Sequence, residues 1–321
     1  MADSKTLEAT KALVIGISGP SSSGKTTLAR LLQRIFNGAD LGPQTLSNLH
    51  TFIVHEDDFY YPDDQIPYTT TPSGERVQDW DTAAAIDTDF LAQALAYVRK
   101  NAALPPRLKS KEDQNDSTDS GVPDSVVQDL RAHVSGLLAK KSTEIPTIAF
   151  LEGFLLYSAP GSKSPLRPVQ EQIHLPLFLP AGYSSVKARR EGRSGYVTCG
   201  PAPSEPEGVA EGASKDGGEK REVDLEAEDD GPPQNFWVDP PGYVDDVVWP
   251  RYVEDHDWLL VAKDGVEGDL VKRVGEGLDI REDAGVKVAP GKGAVGMEDI
   301  LKWAVHEILR FVVDQHQGVR I

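Results

Sequence analysis

A single cysteine, Cys199, stands among the 321 residues of this chain. An intramolecular disulfide is therefore excluded, and such sparing use of cysteine suits a reducing compartment. Long apolar runs are lacking too. None approaches the ~20 residues that a membrane span requires, and Met1 to Lys11 shows neither the charged nor the apolar region of a signal peptide. Basic charge is scarce: 33 Lys and Arg against 51 Asp and Glu leave a net charge of -18. Such a surface repels nucleic acid and anionic membranes, because binding either means neutralising phosphates with Lys and Arg. The tetrapeptide Asn-Lys-x-Asp, expected of a guanine-nucleotide switch, is absent, and no internal repeat is evident. These absences leave a soluble intracellular protein as the expectation, cytoplasmic with the nucleus also open to it, whose partner is a small molecule.

What is present begins with Gly19-Pro20-Ser21-Ser22-Ser23-Gly24-Lys25-Thr26, a complete G-x-x-x-x-G-K-[ST] loop, followed by Thr27. Before it, Ala12 to Ser18 is apolar and rich in β-branched residues, which predicts a buried parallel strand. After it, Lys25 to Phe36 carries apolar residues at helical spacing. In that setting glycines let successive backbone N–H groups turn inward on a phosphate, and the start of a helix adds partial positive charge. Lys25 then meets the β- and γ-oxygens and the Thr26 hydroxyl can ligate Mg²⁺. A nucleoside triphosphate is the expected ligand; the competing reading is a chance match in a Gly- and Ser-rich turn.

Further strands are predicted at Leu49–His55, Thr147–Glu152, Ile173–Leu179 and Val286–Val288. Helices are predicted at Ala83–Lys100, Ser125–Lys140, Ser184–Arg193, Asp245–Val261 and Met297–Val313. Alternating strands and helices predict an α/β protein: a three-layer fold of the P-loop NTPase type, with a parallel central sheet and a helical lid. The whole of 1–321 reads as one domain. Three segments, 105–124, 201–235 and 263–284, look like mobile inserts. The second carries eleven acidic and three basic residues, a net of -8, so much of the chain's acidity lies in it; the third has no clear period and is left unclassified.

In open parallel sheets ligands sit at the carboxyl ends of the strands. The second strand runs into His55-Glu-Asp-Asp-Phe-Tyr-Tyr-Pro62 and the third into Phe150-Leu-Glu-Gly-Phe-Leu-Leu-Tyr157. A carboxylate there can take the proton of an attacking hydroxyl or help hold Mg²⁺, which makes Asp57 the candidate base and Glu152 a metal or substrate carboxylate. The plainer alternative is that these acids are solvated or cap a helix. His55 reads as a strand-end residue rather than a catalyst. In Gln78-Asp-Trp-Asp81 the last carboxylate suits a vicinal diol, although capping a helix that begins near Ala83 is the competing role. Tyr60, Tyr61 and Trp80 are candidate walls for a flat base. Lys187 to Tyr196 is the densest basic cluster in the chain and predicts a lid that spreads the charge of a transferred phosphoryl group, against the alternative of a solvated helix face.

Six motifs in order resemble those of the nicotinamide riboside kinases, a branch of the uridine-kinase-like P-loop kinases. They are Gly-Pro-Ser-Ser-Ser-Gly-Lys-Thr-Thr, Glu-Asp-Asp-Phe-Tyr, Gln-Asp-Trp-Asp, Leu-Glu-Gly-Phe-Leu-Leu-Tyr, Arg-Arg-Glu-Gly-Arg-Ser-Gly-Tyr and Pro-Gly-Tyr-Val-Asp-Asp-Val-Val-Trp-Pro. The first two would also fit uridine, pantothenate or phosphoribulose kinases; Glu-Gly-Phe-Leu-Leu and the Pro-Gly-Tyr segment narrow the match. The resemblance implies ATP and Mg²⁺ as cofactors, with Asp57 as proton acceptor near a metal held by Thr26, Asp57 and Glu152. It implies a nucleoside pocket from Asp57, Asp58, Phe59, Tyr60, Trp80 and Asp81, and a lid of Arg189, Arg190, Arg193 and Tyr196. Arg189 and Arg193 would face ATP, with Arg190 and Tyr196 toward substrate. Pro290, Gly291 and Lys292 would form an adenine-side loop. The implied activity is phosphorylation of nicotinamide riboside on its 5′-hydroxyl. A uridine or other small-metabolite kinase of the same fold, and a non-catalytic nucleotide-dependent regulator, are the alternatives.

Overall fold

Alternation within the first strand explains the layering. In β1 (Leu13–Ser18), Leu13, Ile15 and Ile17 join one apolar cluster while Val14 joins the other. Successive side chains of a strand point to opposite faces, so a strand buried on both must be covered by helices twice over. The structure, a computed structural model, describes residues 10–43, 48–110, 119–141, 147–198, 200, 223, 225–226 and 235–318.

After β1 and the phosphate loop comes α1 (Lys25–Phe36), then β2 (His50–His55), and a small hairpin of β3 (Tyr68–Thr70) and β4 (Arg76–Gln78). Next are α2 (Thr88–Asn101), α3 (Asp124–Lys141), β5 (Thr147–Gly153), the single turn α4 (Arg167–Gln170), β6 (Leu175–Phe178) and α5 (Tyr183–Glu191). A second hairpin, β7 (Tyr196–Thr198) with β8 (Asn235–Trp237), precedes α6 (Trp249–Asp255), α7 (Leu270–Val274), β9 (Lys287–Val288) and α8 (Met297–Gly318).

The sheet is parallel, in the order β2-β5-β1-β6-β9. On one face α1, α3 and α8 bury Leu28, Leu32, Ile35, Val134, Leu138, Leu301 and Ile308. On the other, α2 and α6 bury Leu91, Leu95, Val98, Trp249 and Val253. A third, smaller cluster of Ile66, Val77, Trp80, Ala85, Tyr243, Val244, Val247 and Val248 lies apart from these two. The predicted three-layer α/β fold with a parallel sheet is the observed one.

The differences have local causes. The helix expected from Ala83 is a one-turn 3-10 helix, Ala83–Ala85, separated by Asp87 from α2; the Asp87 carboxylate accepts the Phe90 N–H at 2.9 Å and so starts the helix there. The helix expected over Asp245–Val261 is a π-turn, Val244–Val248, leading into α6, which ends at Asp255. Its wider winding is visible in the Trp249 N–H, which meets the Val244 carbonyl, and Pro250 supplies no N–H to the next rung. The unclassified 263–284 stretch holds α7, with Leu270 and Val274 packed into the α2/α6 cluster, and an isolated bridge from Leu260 to Ile280. Residues 111–118 of the first expected insert, and all but Val223, Leu225, Glu226 and Asn235 of 201–235, lie outside the described residues. Val223 is buried and donates its N–H to Gln93 Oε1 of α2 at 2.8 Å.

Candidate active site

The carboxyl ends of β1, β2 and β5 open onto one cleft. At the donor end, the chain leaves β1 through Gly19, where an added Cβ would lie 2.3 Å from the Leu179 carbonyl oxygen; only glycine allows that approach. Gly24, in the left-handed region, is the N-cap of α1. It offers no side-chain cap, and the first turn has no acidic residue, so the helix start keeps its partial positive charge. Ser21, Ser22, Lys25 and Thr26 line the cleft. Lys25 is buried and its Nζ donates to the Pro20 carbonyl at 3.0 Å. Burial pulls its pKa down, opposed by Glu152 and Asp57. The buried hydroxyls of Ser18, Ser22 and Ser23 meet no hydrogen-bond partner among the described residues.

Beside this loop the strand register brings acids together. Glu152 pairs in register with His55 on one side and Ile17 on the other. Its Oε1 lies 2.7 Å from His55 Nδ1 and accepts the Thr26 hydroxyl at 3.0 Å. Burial raises its pKa, but hydrogen bonding to His55 and the charges of His55 and Lys25 outweigh that and hold it low. Asp57 lines the same end. Its neighbour Glu56 is fully buried; one oxygen accepts the Leu155 N–H at 3.0 Å and the other has no partner among the described residues. Burial pushes Glu56 up to about 8, so it carries its proton at neutral pH.

The other end of the cleft is aromatic. Tyr60 lies edge-on to Trp80 with centroids 5.3 Å apart and is nearly parallel to Phe154 at 6.4 Å. Trp237 stands 5.5 Å from Trp80. Trp80 is fixed at its backbone: its N–H donates to Tyr243 Oη at 3.0 Å, and its carbonyl accepts the Tyr60 hydroxyl at 3.0 Å. Asp81, next in sequence, takes both ends of the Arg190 guanidinium, at 2.7 and 3.0 Å. Arg190 is only 7% exposed and also donates from Nε to Asp239 at 2.6 Å; Asp239 in turn accepts the Trp237 indole N–H at 2.9 Å. The competing helix-cap role for Asp81 is thereby excluded, since Thr82 caps the 3-10 turn and Asp87 caps α2.

Neighbours on a helix diverge by about 100°, which separates the arginines of α5. Arg190 turns inward, whereas Arg189 reaches the phosphate loop and donates to the Ser22 carbonyl at 3.2 Å. Arg193, beyond the end of α5, lines the cleft and lies 5.3 Å over the Tyr196 ring.

Several expected site residues stand elsewhere. Phe59 is 1% exposed and packs edge-on against Phe90 of α2, because the 3-10 turn Glu56–Phe59 carries its last side chain away from the cleft that Asp57 lines. Asp58 is buried without lining the cleft, and Tyr61 packs on the small third cluster. Pro290, Gly291 and Lys292 form a tight turn after the edge strand β9, with Gly291 and Lys292 in the left-handed region; they do not line this cleft, and Lys292 pairs with Asp279. Conversely, Phe154, Thr198, Trp237 and Asp239 were not singled out from the sequence. Phe154 follows Glu152 in a motif already recognised and was within reach; the others come from a hairpin and its flank that have no period to read.

No model of a known protein family matches the chain. Curated relatives do. It is 27% identical to the nicotinamide riboside kinase of Schizosaccharomyces pombe over 93% of this chain and 97% of that one. It is 25% identical to that of Saccharomyces cerevisiae, over 95% and 98%. Nicotinamide riboside kinase 1 of Homo sapiens is 25% identical over 84% of this chain and 92% of its own. With the ordered motifs and the parallel sheet they occupy, these likenesses over most of each chain make the protein similar to the nicotinamide riboside kinases.

Proposed function

We propose that the protein is a kinase that transfers the γ-phosphoryl group of ATP to the 5′-hydroxyl of nicotinamide riboside, giving the mononucleotide used in NAD synthesis. One observation carries this reading: a single cleft has a phosphate loop flanked by Asp57 and Glu152 at one end and an aromatic box with a buried Asp–Arg pair at the other. Phosphoryl transfer needs little covalent chemistry from the protein, so positioning and charge are the devices available.

Asp57 is the proton acceptor for the attacking hydroxyl. Lys25 releases the Pro20 carbonyl and moves its ammonium to the phosphate oxygens, with Arg189 and Arg193 adding charge from the far side. Asp81 accepts from the ribose hydroxyls while Arg190 fixes its carboxylate. Tyr60, Phe154, Trp80 and Trp237 enclose the base. A box of four aromatic rings suits the cationic pyridinium of nicotinamide riboside better than neutral uracil, because ring faces attract positive charge.

Among the described residues no three His, Cys, Asp or Glu side chains gather to hold a metal by themselves. A magnesium ion shared with phosphates keeps one or two carboxylates and takes its remaining oxygens from substrate and water. Thr26, Glu152 and Asp57, all oxygen donors, would hold it, and it would neutralise charge on the β- and γ-oxygens.

ADP release measured with purified protein on nicotinamide riboside, uridine and pantothenate side by side tests the assignment. A clear preference for nicotinamide riboside is expected. Equal turnover of uridine overturns the substrate, and no ADP release with any acceptor overturns the enzyme in favour of a regulator.

A further inference from the structure

The β7–β8 hairpin supplies Tyr196, Val197, Thr198 and Trp237 to the cleft, yet each of its strands is three residues long. Between them run the 36 residues from 199 to 234. Closing a loop of that length costs entropy that so short a ladder offsets poorly. Something beyond the strands must hold this wall in place.

The structure assigns that role to Asp63, and we infer that it is a positioning residue for the nucleoside end of the cleft. Asp63 opens the 3-10 turn Asp63–Gln65, six residues beyond Asp57 on the same segment. Its carboxylate reaches both strands of the hairpin at once. Oδ2 accepts the Thr198 hydroxyl at 2.9 Å and the Asn235 side-chain amide at 2.8 Å, while Oδ1 accepts the Gly200 N–H at 3.1 Å. The backbone adds two more bonds: the Asp63 N–H donates to the Gly200 carbonyl at 2.8 Å, and its own carbonyl accepts from Gln78 Nε2 at 2.6 Å.

Thr198 and Asn235 are register partners at the end of the ladder where the chain departs and returns. Asp63 therefore staples the hairpin where it would otherwise open. A carboxylate with three neutral donors satisfies them without a cation, and removing it strands Thr198, Gly200 and Asn235 together. The effect reaches the cleft through Trp237, which faces Trp80 and bonds Asp239, the residue that holds Arg190. The wall over the base and the loop bearing the proton acceptor thus move as one piece. The donor end, built on β1 and α1, is not attached to this staple.

The inference rests on reading this end as the acceptor site, and full-length variants test it. In Asp63→Ala, KM for the nucleoside should rise about tenfold, the scale expected when a supporting group is lost, with KM for ATP within about twofold of wild type. Backbone amides of 196–200 and 235–237 should exchange hydrogen about tenfold faster, as a locally opened element does. Asp63→Asn, which keeps one acceptor oxygen, should lie between. Should Asp63→Ala fail to fold, Asn235→Ala removes one leg of the staple and should raise nucleoside KM about two- to threefold with the same rise in exchange. A folded Asp63→Ala with unchanged nucleoside KM, or one in which both KM values climb together, overturns the positioning role. Wild-type protein inert toward every nucleoside refutes the kinase assignment instead. The staple is then judged on exchange alone, and unchanged exchange in Asp63→Ala overturns it.

Discussion

At the scale of single residues, the two ends of the cleft make different demands on charge. In the proposed mechanism Asp57 acts by its basicity at the moment of attack, so Asp57→Ala should keep nucleotide binding and lower kcat by about 10²- to 10⁴-fold, the range for losing a positioned acid or base. Equilibrium ATP binding beside steady-state turnover checks this; near-normal kcat would remove Asp57 from the role. Arg190 is a structural cation as much as a binding one. It is buried between Asp81 and Asp239, and Arg190→Met leaves the buried Asp81 carboxylate beside the half-buried one of Asp239. Breaking such a buried arrangement typically costs about 3–5 kcal/mol, readable as a lower urea midpoint. If the variant melts with wild type, the ion pairs contribute nothing net.

Legibility also varies residue by residue. The phosphate loop stood out by its spacing, and Asp57 and Glu152 as carboxylates just after strongly patterned strands; Asp81 and Arg190 stood out through the motifs that resemble a known family. All of them, Arg190 included, gather at one cleft. Phe59 was misread because chemistry alone does not distinguish an aromatic that walls a site from one that fills a core; the turn of its backbone decides. Asp63, Trp237 and Asp239 were invisible for another reason. Asp63 bonds residues more than a hundred positions away, Trp237 sits on a strand too short to leave a period, and Asp239 meets Arg190 from 49 residues further along the chain.

At the scale of elements, strands buried on both faces and helices with a strong apolar stripe declared themselves, and β1, β2, β5, β6 and α1 fall within a residue or two of expectation. What escaped were boundaries set by single hydrogen bonds. Asp87 is one: its side chain, through the Phe90 N–H, decides where α2 begins. Asp87→Ala should cost about 1 kcal/mol, the usual worth of an N-cap. Because α2 adds no residue to the cleft lining, kcat and both KM values should hold. Thermal melts and kinetics on the same preparation check both halves, and a change in KM would mean that α2 supports the cleft more closely than its packing indicates. The π-turn at Val244–Val248 is another case. It starts from Tyr243, whose hydroxyl accepts the Trp80 N–H and donates to the Gln78 carbonyl, so an irregular helix start anchors an aromatic wall.

At the scale of the whole molecule, stability should respond to pH through histidine. His174 continues the β1–β6 pairing: its N–H donates to the Val14 carbonyl and its ring Nδ1 accepts the Val14 N–H, both at 2.9 Å. Burial, with Arg99 nearby, lowers its pKa to about 4. A depressed folded pKa means that the unfolded chain binds the proton first, so stability is lost as pH falls from about 6.5 toward 4. The difference between His174→Gln, which keeps an acceptor but does not titrate, and wild type isolates this group from the buried acids that titrate in the opposite sense. Between about pH 7 and pH 4.5 wild type should lose on the order of 2–3 kcal/mol more than the variant. Parallel curves would show that His174 does not titrate differently in the fold.

The hairpin that walls the cleft has one further consequence. The chain departs at Thr198 and returns at Asn235, and these two are ladder partners, so whatever joins them is anchored at two points about one strand spacing, ~5 Å, apart. Two neighbouring anchors are the geometry in which a foreign domain can be spliced into a protein with least disturbance. A circularly permuted fluorescent protein placed between them would join the strand that carries Trp237, two residues before it. Its emission would report any change in the packing of this wall when a nucleoside binds, making the protein a scaffold for a sensor of its own substrate.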